Sequence, residues 1–249
     1  MAQGSILPDA GDCAHSRITA QAEADFRQHA VSEWPRECCG IIGEDGIYRP
    51  QRNVADDPEQ DFRIDPRAMI HEPRFVLHSH TSKLKGPSYA DMVGQAHWPR
   101  TTWGLVHCDG KNTGELVQWG PEAPIPPLLG RTYLWGIRDC CTALIHYFRL
   151  AHGVIFQDQP RQNFFWEPNK KHSDSLWEKF LPAAGFIRTK KPDVGDLMLI
   201  QVGRWLPSHC AIIVQQNTIY HHPWNALSRL DDHSRYIGQQ HSYWTRRAS

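Results

Sequence analysis

The chain has 249 residues, enough for two modest domains that each bury a core. Lys+Arg and Asp+Glu balance at 27 each, so no basic field favours a nucleic-acid partner. No apolar run approaches the roughly 18 residues of a membrane-spanning helix, so no membrane-spanning segment is expected.

From the start of the chain, Met1 to Pro8 lacks the charged and apolar regions of a secretory signal, which predicts synthesis and folding in the cytoplasm. Seven cysteines, with adjacent pairs at Cys38/Cys39 and Cys140/Cys141, argue against a disulfide framework and fit a reducing compartment. An amphipathic helix is predicted over roughly Ala20 to Glu33, giving way near Glu37 to an apolar strand. Arg74-Phe75-Val76-Leu77 reads as the end of a buried strand, and His78 and His80 follow it. Alternate residues on a strand face one side, so the two imidazoles can share a metal, and imidazole suits zinc. Ser88-Tyr89-Ala90-Asp91 reads as a loop entering a helix. Ser88-x-x-Asp91 is a capping-box variant in its own right, and Asp91 can equally be a third zinc ligand. Glu37, a lone carboxylate at the mouth of a strand, is well placed as general base for a zinc-bound water.

Glu37 followed by His78-x-His80-x7-Ser88-x2-Asp91 resembles the pattern of the JAMM (MPN-type) metallopeptidases over roughly residues 15–120. The resemblance implies zinc held by His78, His80 and Asp91. It makes Glu37 the proton shuttle and Ser88 a stabiliser of the oxyanion.

Pro121, Pro124, Pro126 and Pro127 predict a stiff, extended linker. Arg138 to Phe148 then reads as a helix with Asp139 as N-cap and an apolar stripe through Ala143, Leu144, Tyr147 and Phe148. A cysteine in that first turn feels the helix dipole and free N–H groups, both expected to lower its pKa. The candidate base is His209, which opens an apolar strand through Val214. That strand turns at Gln215-Gln216-Asn217 into a second one reaching His221 and His222. The hairpin register is open, so either histidine could orient His209. His97, His107, His146, His152 and His172 have no metal-like spacing and read as structural. Trp119, Trp135, Trp166, Trp177, Trp205, Trp224 and Trp244 read as core or interface anchors.

Asp139-Cys140, then Gly195-Asp196 leading a strand, then His209 and His221 twelve residues later, is similar to the NlpC-type papain-like cysteine peptidases over about residues 130–235. Carried over, Cys140 is the nucleophile, His209 the base and His221 the orienting residue. The chain departs from that pattern at Cys141 and Thr142, which replace the commoner Ser-Gly. It also departs at the longer Pro192 to Asp196 stretch and at Cys210. The doubled cysteine leaves Cys141 as a rival that the capping Asp139 disfavours.

The expected fold is α/β plus α+β. Residues 1–120 form a JAMM/MPN-type mixed sheet flanked by helices, 121–130 a linker, and 131–249 a papain-like NlpC-type domain. This pairing resembles the tail-tip assembly proteins of lambda-like long-tailed bacteriophages. It implies tail-tip proteins and peptidoglycan peptide stems as partners, with action in the host cytoplasm during assembly or at the virion tail tip. Two alternatives stand beside it. One is a non-catalytic assembly factor; the other is a bacterial cytoplasmic hydrolase of wall peptides or a carrier protein.

Overall fold

The computed structural model describes residues 6–9, 18–69, 71–82, 84–162, 176–201 and 206–246. The expectations for Trp166, Trp205 and His172 lie outside them, as do those for most of the first eight residues. Two compact units emerge, dividing between Pro124 and Ile125.

The first unit opens with α1 (Ala20–Glu33), which Thr19 caps by accepting the Ala22 N–H at 3.1 Å. Ala22, Phe26 and Ala30, four residues apart, bury one stripe of α1. That stripe joins Ile42, Tyr48, Phe75 and Leu77 in a core under a five-stranded sheet of order β2-β1-β3-β4-β5. The strands are β1 (Cys39–Ile42), β2 (Tyr48–Gln51), β3 (Phe75–His80), β4 (Thr102–His107) and β5 (Val117–Trp119). β3 and β4 run parallel, joined through α2 (Tyr89–His97), while the other pairs are antiparallel. α2 sits tight on β4, since a Cβ at Gly94 would lie 2.6 Å from Trp103. This is the mixed, helix-flanked sheet expected. Every residue of β3 is buried, so its histidines are dry.

The second unit holds α3 (Cys140–His152), α4 (Leu176–Ala183) and six antiparallel strands in the order β10-β9-β8-β7-β11-β6. These are β6 (Phe186–Thr189), β7 (Leu197–Ile200), β8 (His209–Gln215), β9 (Thr218–His221), β10 (Arg229–Asp232) and β11 (Gln240–Arg246). Leu144, Phe148, Trp177, Leu197, Ile212 and Tyr220 anchor its core, which also takes in Leu7 from the N-terminal segment. The proline-rich stretch is not a free tether along its length. Leu128 is buried in this core, and Arg131 donates to the carbonyls of Pro126 and Pro127. Trp119, Trp177 and Trp244 are buried, whereas Trp224 is exposed. Among the described residues, no helix is long and apolar enough to cross a membrane.

Candidate active sites

His80 ends β3 and Asp91 sits in the first turn of α2, so the first site forms at the carboxyl end of a parallel strand where the crossover helix begins. His78 Nε2 and His80 Nε2 are 3.3 Å apart. Asp91 Oδ1 lies 3.5 Å from His78 Nε2, and Asp91 Oδ2 lies 3.3 Å from His80 Nε2. A tetrahedral zinc with bonds of about 2.0–2.1 Å sets its ligand atoms about 3.3–3.4 Å apart, the spacing of the two imidazole nitrogens, and one ligand atom from each of the three residues lies within 4.8 Å of the others. The donor set, two imidazoles and one carboxylate, suits the same ion. All three residues are buried.

The surroundings aim these side chains. His80 Nδ1 faces the Leu84 carbonyl at 3.3 Å, which leaves its Nε2 lone pair for the cluster. His78 is steered by packing: its ring stacks on Phe62 at 4.3 Å, and its buried Nδ1 has no hydrogen-bond partner among the described residues. Ser88 is the N-cap of α2, and its capping box with Asp91 is present. Ser88 Oγ accepts the Asp91 N–H at 3.1 Å, and the Ser88 N–H donates to Asp91 Oδ2 at 2.6 Å. Capping and cluster membership therefore coexist in Asp91. Against its burial, the two histidines hold the Asp91 carboxyl well below the usual carboxylate range.

Glu37 precedes β1, whose antiparallel register pairs Cys39 with His78. Two residues further out along that register, Glu37 comes opposite His80. Burial pushes the Glu37 carboxyl up to about 8; the charge of His80 lowers it, and those of Asp91 and Asp61 raise it. Beside Asp91 opens a cavity of about 550 Å³ walled by Phe62, Ile64, Met69, Trp98 and Trp103.

In the second unit Asp139 caps α3, accepting from the N–H groups of Cys141 and Thr142 at 3.0 Å each. Its carboxylate is also gripped by buried Arg161, with Nε to Oδ2 at 2.8 Å and Nη2 to Oδ1 at 3.1 Å. Arg161 reaches on to Asp158 at 2.7 Å. No local motif marks Arg161 in the sequence, so the anchor of the N-cap was not foreseeable from it. Cys140 is half-buried, and its sulfur meets the N–H of Cys210, the residue after His209. Cys141 turns into the core, with its sulfur 3.8 Å from Asp158. The expected lowering of the Cys140 pKa does not occur. Burial, then the Asp139 charge, push its thiol up to about 12, outweighing Arg161 and the N–H groups of Cys210 and Cys140.

The base candidates form a chain. His209 Nε2 lies 2.9 Å from His221 Nδ1, and His221 Nε2 lies 3.0 Å from Asp231 Oδ2. The same oxygen accepts from Tyr236 Oη at 2.7 Å and from Arg229 Nε at 2.9 Å. Burial holds the His209 and His221 rings below the ordinary histidine value. His222 points to the other face, edge-on to Tyr133 at 5.4 Å. Sequence reasoning missed Asp231, which sits on the neighbouring strand β10.

Residues 19–119 match the Prok-JAB family, prokaryotic homologs of the JAB domain, and residues 130–248 match the NlpC/P60 family. The Tail tip assembly protein K of Escherichia phage N15 is 28% identical over 210 residues, covering 81% of this chain and 84% of the relative. The protein of the same name from Escherichia phage lambda is 28% identical over 180 residues, covering 70% and 81%. The chain thus carries a segment matching the Prok-JAB family followed by one matching the NlpC/P60 family.

Proposed function

We propose that the chain is a phage tail-tip assembly protein carrying two hydrolase sites, a thiol peptidase for peptidoglycan stem peptides and a zinc-dependent (iso)peptidase. The observation that carries this reading is the shared order of both domains along most of the tail tip assembly protein K relatives.

In the NlpC/P60 half, Cys140 is the nucleophile and His209 the base. With His209 Nε2 engaged by His221, Nδ1 is the nitrogen left to take the thiol proton as sulfur attacks the peptide carbonyl carbon. The proton then passes from His209 to the leaving amine, and water, deprotonated by the same nitrogen, hydrolyses the thioester. With the thiol pushed up and the imidazole pushed down by burial, this reading is general-base catalysis rather than attack by a preformed thiolate.

In the Prok-JAB half, His78, His80 and Asp91 would hold zinc, which when bound acidifies a coordinated water and polarises a carbonyl. Glu37, whose carboxyl burial pushes up to about 8, would carry the proton from nucleophile to leaving group. Ser88 Oγ accepts from the Asp91 N–H and keeps its hydroxyl proton free for an oxyanion. The cavity beside Asp91 suits an apolar side chain of the substrate. Tail-tip proteins are the partners of this reading, in the host cytoplasm during assembly and at the tail tip thereafter.

A scaffold without chemistry is the second reading, and the raised Cys140 thiol favours it. Phage carrying a deletion of the gene, Cys140→Ala or Glu37→Gln separate the two. Deletion should stop production of working tails, and Cys140→Ala should leave tails assembled but slow infection where the wall is thick. Fully infectious particles from both point variants would favour the scaffold.

A further inference from the structure

Asp231 lies one residue beyond the expected triad, and its oxygen gathers three donors: His221, Tyr236 and Arg229. Arg235 adds a fourth positive or polar group, with Nη1 3.7 Å from Oδ1. An ionised carboxylate only accepts hydrogen bonds, so His221 Nε2 must carry a proton. His221 is neutral, since burial lowers its pKa, and a neutral imidazole has one N–H. Its Nδ1 is then a lone pair, and the only hydrogen that can fill the 2.9 Å gap to His209 is one on His209 Nε2. Neutral His209 in turn has its lone pair on Nδ1. Each step follows from the one before, and the carboxylate sits at the origin.

We propose that Asp231 is a positioning residue that sets the protons of the His209–His221 pair, so that His209 presents Nδ1 as the base. This rests on the thiol-peptidase reading of Cys140. Without Asp231, either neutral form of His221 is open to it. The Tyr236 hydroxyl, whose ring stands edge-on to His221 at 5.3 Å, is then free to donate to Nε2. That contact would put the proton on His221 Nδ1 and drive His209 into the opposite tautomer, with Nδ1 protonated and useless as a base. Protonation of His221 does the same. The charged and titratable groups facing the pair are Asp231, Arg229, Arg235 and Tyr236 on the His221 side. His222 and Asp139 act on His209.

The test is long-range proton–nitrogen NMR of the full-length protein with ¹⁵N-labelled histidine at pH 7.5, assigned with His209→Gln and His221→Gln. In the wild type, both rings should be in the Nε2–H form. Asp231→Ala should lose that form in both rings and lower kcat on a wall peptide at least tenfold, with KM within twofold. Asp231→Asn keeps an acceptor oxygen and should retain the tautomers and most of the rate. His209 protonated on Nδ1 in the wild type overturns the proposal without any variant, as does an Asp231→Ala protein with wild-type tautomers. The tautomers are read without substrate. A wild type that has the expected tautomers but no thiol-dependent hydrolysis therefore defeats the peptidase reading, and with it the role of His209 as base, while the proton placement by Asp231 stands.

Discussion

His209 and His221 share one face of the β8–β9 ladder because Val214 is bulged out of it. Ile213 pairs with Ile219, but Gln215 pairs with Thr218, so one residue of β8 has no partner. Below the bulge His221 stands opposite Ala211, two residues from His209 and on the same face. Had the Gln215–Thr218 register continued, His222 would occupy that place and His221 would face away.

This arrangement fixes what thiol labelling should show. A Cys140 thiol pushed up to about 12 is neutral near pH 8, so its reactivity depends on His209 rather than on a standing thiolate. Iodoacetamide, followed by peptide mass spectrometry, should modify Cys140 ahead of buried Cys141 and Cys210, faster as pH rises. His209→Gln should slow it by roughly ten- to a hundredfold at pH 8. Modification of Cys141 first would contradict the assignment.

One zinc per chain is expected from elemental analysis. His78→Ala and Asp91→Ala should lose it, whereas Glu37→Gln should keep it, because Glu37 is placed as a base and not as a ligand. A chelator should lower the thermal midpoint of the wild type and leave that of His78→Ala unchanged.

Arg161 and Asp139 are both buried and joined by two hydrogen bonds. Removing the cation leaves the Asp139 carboxylate dry and unpaired, so Arg161→Ala should destabilise the second unit by roughly 3–5 kcal/mol in urea unfolding. Loss of the fixed N-cap should also slow Cys140 labelling.

Burial pushes the His222 ring down to about 4 from its ordinary 6.5. Between those values the unfolded chain binds more protons than the folded one, so stability falls as pH drops through this window. The lowered His209 and His221 act in the same sense. Urea midpoints of the second unit should decline from pH 6.5 to 4, and His222→Gln should flatten the decline. An unchanged slope in that variant would remove His222 from the account.

Much of this arrangement follows from short-range pattern. Strand alternation puts His78 and His80 on one side, and a first-turn helix position brings Asp91 to them. Glu37 reaches the cluster through strand pairing that begins where α1 gives way to β1. The choice between His221 and His222 was closed to sequence reasoning because a single bulged residue decides it. Asp231 and Arg161 act across elements, with nothing local to mark them. The thiol of Cys140 went the opposite way from expectation because the cost of burying a thiolate depends on what covers it, which helix position alone does not reveal. The proline-rich stretch reads as an extended tether until Leu128 is seen inside a core.

The central claim is that Cys140 and His209 cut wall peptides independently of the His78, His80 and Asp91 site. Mass spectrometry of purified peptidoglycan after digestion by wild type, Cys140→Ala and Glu37→Gln tests it most directly. New stem-peptide ends should arise with wild type and Glu37→Gln, with and without EDTA, and should be absent with Cys140→Ala. Cleavage that survives Cys140→Ala, or that EDTA abolishes, would contradict it.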